Sequence, residues 1–377
     1  MRGIRVHRGA RLSVWPSLPP TVYICGRSPL PFPLNHPGCR LFGRARHGLW
    51  QGLKALGLGE GDAVLVPAFH HGSEIEAIEM AGVRCVFYDV AEDLSPDPGQ
   101  LENLLARDVR ALHLTHYFGF PQDARRWRRW CDERGLLLFE DAAQAWLAQH
   151  DGHPVGSDGD LAVFCLYKTV GLPDGGAVLC RAAIEPPPRQ RPSGVSGLAR
   201  KHLAWALQQS GWGIDRDDRY GYDPEADFAL GDPATPVSSA TIQALPRLGW
   251  AGVAEARRAR YRALLETLHP LVLPPFAAVP DGAAPFLLPV RVPNPSTLVE
   301  ALRSHGVHAL DVWSVPHPSL PVRGFPAAHR LRRHLVGLPV HQELRKAQVR
   351  RIADLVAAGA SVNRATAAGP ISGVCWR

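Results

Sequence analysis

The sequence predicts an α/β protein, a mainly parallel sheet sandwiched by helices, followed by a smaller C-terminal α+β domain. Three observations carry that expectation. Short apolar runs alternate with amphipathic stretches through residues 41–180, the pattern of strands buried on both faces. A segment rich in Pro, Arg, Gly, Ser and Asp (181–236) then interrupts the pattern, and a second set of helices and strands follows it. Finally, 377 residues that are 46% hydrophobic and 20% charged fill a large domain plus a smaller one better than a single unit.

Taken in order, residues 1–40 read as an N-terminal tail or extension. His47–Leu56 reads as a helix and Ala63–Val66 as a strand stopped by Pro67. Ser73–Ala81 reads as a helix, with Ser73 as N-cap and Glu76 completing a capping box. Strand Arg84–Val90, helix Pro98–Ala106, strand Val109–Thr115, helix Gln122–Arg134 and strand Leu136–Glu140 follow. Another apolar strand runs from Asp160 and ends in Lys168, and Ala177–Cys180 resumes after a Pro-Asp-Gly-Gly turn. These elements make a large domain of residues 41–245, with 181–236 as irregular loops. A long helix within Gln243–Leu268, strands at Leu287–Val292, a helix at Ser296–His305 and a last helix at Gln342–Ala358 make a small domain of 246–365. Residues 366–377 read as a tail.

Composition narrows the function. The apolar content argues against disorder despite 36 Gly and 35 Pro. No apolar run approaches the roughly 20 residues that span a bilayer, and no secretory signal follows the N-terminal arginines, so a cytoplasmic protein with no membrane partner is expected. The net charge is +7, and Lys54, Lys168, Lys201 and Lys346 are the only lysines among 42 basic residues. The Arg125–Arg129 cluster reads as a solvated helix face, so no nucleic-acid partner is expected. The seven cysteines are scattered, odd in number and without a CxxC pair, which gives neither a disulfide framework nor a zinc site. His113 and His116, three apart, have no third ligand at metal spacing, so no metal is expected; His116 and His341 read as core or supporting histidines.

Two strand ends carry chemistry. Phe139-Glu140-Asp141 closes an apolar strand, which puts a carboxylate at the mouth of the sheet, where ligands of such sheets gather. Asp141 there caps the following segment, or it holds a proton on the ring nitrogen of a pyridine cofactor. Lys168 at the end of a buried strand is costly as an ammonium and cheap as a neutral amine. It packs its stem and reaches for water, or it condenses with an aldehyde.

Motifs in a shared order then resemble a family. They are the run Leu56–Phe69 (LGLGEGDAVLVPAF), Ala81-Gly82-Val83 before a strand ending in Asp89, His116-Tyr117-Phe118-Gly119 and Glu140-Asp141-Ala142-Ala143-Gln144. Val155-Gly156-Ser157 leading to Gly159-Asp160, and Leu338-Pro339-Val340-His341, complete the set. Together they are similar to the DegT/DnrJ family of pyridoxal-phosphate sugar aminotransferases over roughly residues 40–365, with 181–236 poorly matched. The resemblance implies the fold of type I pyridoxal-phosphate transferases and pyridoxal 5′-phosphate as cofactor. It makes Lys168 the lysine that forms the imine and moves the proton, Asp141 the partner of the ring nitrogen, and Gln144 the amide near the phenolic oxygen. His71 falls where the family stacks an aromatic residue on the ring. Gly43, Arg44, Ala45 and Arg46 fall at the phosphate turn, where the family has a Ser-Gly-Thr-like sequence. Cys165 stands where the family has a phosphate-binding serine, and the stretch from Asp160 to Lys168 is two residues shorter than usual. The segment through which a neighbouring subunit reaches the cofactor is not recognisable around Pro236–Ser239. The implied activity is transfer of an amino group from a donor such as glutamate to a keto acceptor, a keto sugar or sugar nucleotide, in a homodimer. A pyridoxal-phosphate dehydratase or other lyase, and a catalytically silent homologue that binds a ligand or partner, are the alternatives.

Overall fold

The computed structural model describes residues 5–24, 26–188, 193–215 and 224–367. The N-terminal segment carries β1 (Arg5–Arg8) and β2 (Leu12–Ser13), and β3 is Arg40–Phe42. There follow α1 (Ala45–Ala55), β4 (Ala63–Pro67), α2 (Ser73–Met80), β5 (Arg84–Tyr88), α3 (Pro98–Leu104) and β6 (Val109–Thr115). Next are α4 (Ala124–Asp132), β7 (Leu137–Asp141), a ribbon of β8 (Gln149–His150) and β9 (His153–Pro154), β10 (Leu161–Cys165), the single-turn α5 (Leu166–Thr169) and β11 (Gly176–Cys180).

Seven strands form one sheet in the order β3-β11-β10-β7-β6-β4-β5. β10, β7, β6, β4 and β5 pair parallel, and β11 is antiparallel to both its neighbours. Every residue of β4 and β10 is buried, as expected of strands covered on both faces. The carboxyl ends of β4, β6, β7 and β10 therefore open on one edge, the place where such sheets bind ligands.

The remainder comprises α6 (Val195–Ser210), β12 (Trp212–Asp215), α7 (Pro224–Phe228), α8 (Ser239–Ala244), α9 (Val253–Leu268), β13 (Leu287–Arg291) and α10 (Pro295–Ser304). β14 (Val307–His308), β15 (Leu310–Asp311), α11 (Pro326–His334), β16 (Leu335–Pro339) and α12 (Lys346–Ala367) complete the chain. A three-stranded sheet, β13-β16-β15, packs with α9, α10 and α12. We place the proposed division between the two units near residue 245, at the turn between α8 and α9.

Several expectations are corrected. The N-terminal extension is not a loose tail: β1 pairs with β12, β2 pairs with β14, and Leu12, Val14 and Leu18 are buried. The alternation Leu12, Val14 inward and Ser13, Trp15 outward is the period-2 pattern of a strand. Within 181–236, α6 is a sixteen-residue helix; the Pro-rich composition stops short of Val195. The long helix expected within Gln243–Leu268 is α9, which starts only after Gly252 because Pro246 follows α8 in a 3₁₀ turn. Ser73 does not cap α2: Gly72 is the N-cap, and Glu74 takes the open N–H groups of His71 and Gly72 at 3.0 and 3.2 Å. Asp89 seats α11, accepting from Ala327 N and Ala328 N at 2.8 and 2.9 Å and so tying the end of β5 to that helix. Of the expected C-terminal tail, residues 366–367 continue α12 and 368–377 lie outside the described residues.

His341 is a core histidine, fully buried, and burial holds its pKa down to about 3. The Arg125–Arg129 cluster lies on α4, whose Trp127 and Trp130 face inward; Arg128 bonds Asp160 at 2.6 Å and Asp132 at 2.8 Å, and Arg125 approaches Asp158 at 3.7 Å. No helix among the described residues is long and apolar enough to cross a membrane.

Candidate active site

A cavity of about 300 Å³ opens at the carboxyl edge of the large sheet. Arg44, Ala45, Arg46, His71, Asp141, Gln144, Cys165 and Lys168, eight of the nine predicted site residues, line it together. Gly43 does not. Its N–H donates to Thr235 O at 2.9 Å and its carbonyl accepts from Gly175 N at 3.1 Å, so it ties β3 to its neighbours instead.

Lys168 sits on α5, three residues beyond β10, rather than at the end of the strand. Its Nζ lies 5.9 Å from the Phe286 ring centroid and makes no hydrogen bond among the described residues. The expected neutral amine is corrected too. Burial disfavours the ammonium form, but Cys165, Tyr167, Asp141 and Glu74 around it outweigh burial and raise the Lys168 pKa.

Glu140 and Asp141 point to opposite faces of β7, as successive strand residues must. Asp141 lines the cavity, and its Oδ1 accepts from Ala143 N at 2.8 Å. The capping reading therefore holds for one oxygen, while the other has no hydrogen-bond partner among the described residues. Gln144 accepts from Phe118 N at 2.9 Å through Oε1, which leaves its amide nitrogen as a donor without a partner among the described residues. Phe118 and Gly119 make that turn with φ of 57° and 93°. A Cβ on Gly119 would lie 2.2 Å from Ala284 O, so only glycine fits there.

Glu140 works behind the cavity. His116 Nδ1 accepts from Gln122 N at 3.0 Å, so its Nε2 carries the proton and donates to Glu140 Oε2 at 3.0 Å. The backbone N–H groups of Gly156, Asp158 and Gly159 complete the shell at 2.8, 2.9 and 2.6 Å. Burial opposes ionisation, yet His116 and these N–H groups hold the Glu140 pKa below the usual carboxylate value. This lowered pKa gives stability that is complete above the ordinary carboxylate range and is lost as pH falls through the folded value. E140Q leaves buried donors facing an amide, so denaturant titration at pH 7 should show a loss of about 3 kcal/mol. The gap between variant and wild type should narrow as pH falls below the ordinary carboxylate range and through the folded value, and a gap that stays constant down to acid unfolding contradicts this role.

The start of α1 faces the cavity with Arg44 as N-cap, no side-chain cap and no acid in its first turn. Its open N–H groups form an anion seat. Gly176 lets β11 approach this turn, since a Cβ there would lie 2.3 Å from Ala45 N. The two arginines divide. Arg44 stacks over Tyr167 at 5.0 Å, whereas Arg46 donates to Asp227 O and Ala229 O at 2.7 and 2.6 Å and is committed to that segment. Among the described residues Cys165 Sγ has one hydrogen-bond partner, the Tyr167 hydroxyl at 3.8 Å. His71 is kept neutral, its pKa pushed well down by burial and then by Lys168, Arg46 and Arg332. Its ring edge-packs on Trp313 and Phe228 at 6.4 and 6.3 Å.

Sequence reasoning missed Trp15, Glu74, Tyr167, Asp227 and Trp313, which also line the cavity. Trp15 comes from the N-terminal segment and packs on Phe286 and Tyr167 at 5.4 and 6.1 Å. Trp313, at φ 52°, joins an aromatic cluster with Phe69, Tyr117 and Phe118. Among the described residues no cluster of His, Cys, Asp and Glu has metal-binding spacing.

Residues 42–184 match the DegT/DnrJ/EryC1/StrS aminotransferase family. The dTDP-3-amino-3,4,6-trideoxy-alpha-D-glucose transaminase of Streptomyces venezuelae is 28% identical over 317 residues, which cover 81% of this chain and 78% of that protein. The solved structure of S. venezuelae DesV in complex with a ketimine intermediate has a TM-score of 0.63 at 25% identity, covering 85% of this chain and 84% of that one. AtS13 of Actinomadura melliaura shares the fold with a TM-score of 0.65 at 20% identity, over 93% of this chain and 99% of that one.

Proposed function

We propose that this chain is an aminotransferase of the DegT/DnrJ/EryC1/StrS family, that it binds pyridoxal 5′-phosphate and that it moves an amino group from glutamate to a keto sugar or sugar nucleotide. The observation that carries the reading is one cavity holding a lysine amine and a half-engaged carboxylate, Lys168 and Asp141, the amine without a hydrogen-bond partner among the described residues.

The donor set fits the cofactor. The open start of α1, with Arg44 beside it, suits a phosphate. The free oxygen of Asp141 suits a protonated ring nitrogen, the free amide of Gln144 a phenolic oxygen, and the neutral His71 imidazole the face of a ring. Arg46 enters through its backbone, because its guanidinium is engaged elsewhere. Cys165 contributes a weak thiol where a hydroxyl would bind more strongly.

When bound, pyridoxal 5′-phosphate supplies an aldehyde for amines and a ring that withdraws electrons. The protein's own groups do the rest. Lys168 would offer its amine to that aldehyde once it has lost the proton that its acidic neighbours favour, and would then hold and move a proton as general acid and base. Asp141 keeps a proton opposite its free oxygen. Trp15 and Trp313 wall the cavity, and Trp313 is backed by the rings of Phe69, Tyr117 and Phe118.

The sugar rests on what the relatives' names say of those proteins, and a homodimer and a cytoplasmic location belong to the same reading. Purified protein mixed with pyridoxal 5′-phosphate should develop a visible absorption band that bleaches on adding glutamate. A band indifferent to every amino donor, or no band, contradicts the reading.

A further inference from the structure

The turn that carries Lys168 is gripped from the far unit. Arg257 on α9 is 1% exposed, and among the described residues its hydrogen-bond acceptors are all neutral. Nε donates to Gln342 Oε1 at 3.0 Å and Nη1 to Pro285 O at 2.8 Å. Nη2 donates to Lys168 O at 3.2 Å and Thr169 O at 2.7 Å. Gln342 adds a bond from Nε2 to Thr169 O at 3.2 Å.

Such an arrangement has a reason in helix geometry. α5 is a four-residue turn, so the carbonyls of Lys168 and Thr169 have no following turn to accept from, as at every helix C-terminus. A cation placed there also opposes the partial negative charge of that end. The interior does not favour the ion: burial draws the Arg257 pKa down to about 9, with Glu343 offsetting part of the effect. Packing alone would be served by a neutral side chain of similar volume. What arginine adds is a rigid fork that holds several carbonyls at once.

We propose that Arg257 is a positioning residue for Lys168, fixing the backbone of the lysine turn so that Nζ stays aimed into the cavity. The assignment rests on the reading of Lys168 given above. It also explains how a lysine stretch two residues shorter than the family pattern is held firm: the support comes from α9 and from the segment after β16.

The test uses wild type, R257Q, R257K and K168A with pyridoxal 5′-phosphate, each well below its own thermal midpoint. R257Q should form the visible band, and bleach it with saturating glutamate, about 100-fold more slowly than wild type, the cost typical of a roughly 1 Å misplacement. The half-saturating glutamate concentration should stay within about twofold, because the donor's contacts are untouched. R257K, which keeps a cation and donors, should recover about tenfold of the rate. A merely structural arginine would lower the thermal midpoint yet leave the rates of folded protein unchanged, and wild-type rates in R257Q overturn the proposal. If R257Q does not fold, R257K decides: a rate about tenfold below wild type at unchanged half-saturation supports the proposal, and a wild-type rate overturns it. A band that still forms in K168A refutes the Lys168 reading itself, an outcome separate from wild-type rates in the Arg257 variants.

Discussion

Replacing Lys168 with alanine should abolish covalent attachment of pyridoxal 5′-phosphate and cut glutamate-dependent turnover by about four orders of magnitude, the upper range for a group acting as general acid and base. Nothing else in the cavity replaces it. Of its titratable neighbours Cys165, Tyr167, Asp141 and Glu74, none is an amine that condenses with an aldehyde. K168R should be equally inactive, since a guanidinium does not lose its proton in this range. The fold should survive, because Nζ makes no hydrogen bond among the described residues and the turn is held through its carbonyls by Arg257. The raised pKa of the amine has its own consequence. The fraction able to attack grows roughly tenfold per pH unit between pH 7 and 10, so attachment to wild type should accelerate across that span. Stopped-flow absorbance checks both points; an attachment rate flat with pH contradicts the electrostatic account, and turnover within tenfold of wild type in K168A contradicts the assignment.

Asp141→Asn should lower turnover by about three orders of magnitude while leaving the thermal midpoint nearly unchanged. Asparagine keeps an oxygen for Ala143 N, which is the structural half of Asp141's work. It loses the charge on the other oxygen, the half that would hold a proton on a ring nitrogen. Removing one preorganised electrostatic group from such a site typically costs 10²–10³-fold, and here the loss falls on the group that keeps the ring electron-withdrawing. D141A removes both halves and should unfold at lower temperature as well. Attachment to Lys168 should still occur in D141N, which separates the two roles. Near-wild-type turnover in D141N would leave Asp141 a capping residue and nothing more.

The sheet and most of its site were legible because both are local. Each of β4, β5, β6, β7 and β10 is a short, mostly apolar run bounded by turn residues, and the ends of β4, β7 and β10 named His71, Asp141 and the neighbourhood of Lys168 directly. What escaped is non-local. Trp15 and Trp313 lie far along the chain from the strand ends they face, and no periodicity links Arg257 to a carbonyl 88 residues away. Arg46 looked like a phosphate ligand because only its distance from Gly43 was visible; the carbonyls of residues 227 and 229 that claim it were not. α6 was lost to averaging over a Pro-rich window, although Leu198–Leu207 has helix-forming residues throughout. The N-terminal strand pairings show the same limit, since a two-residue strand gains its meaning only from the partner it meets.

The central claim is that one amine among four lysines meets the cofactor. Borohydride reduction of the protein loaded with pyridoxal 5′-phosphate, followed by proteolysis and peptide mass mapping, reads that residue directly. The account predicts a single stable tag on Lys168. A tag on Lys54, Lys201 or Lys346 with Lys168 unmodified, or no tag on any lysine, would contradict it.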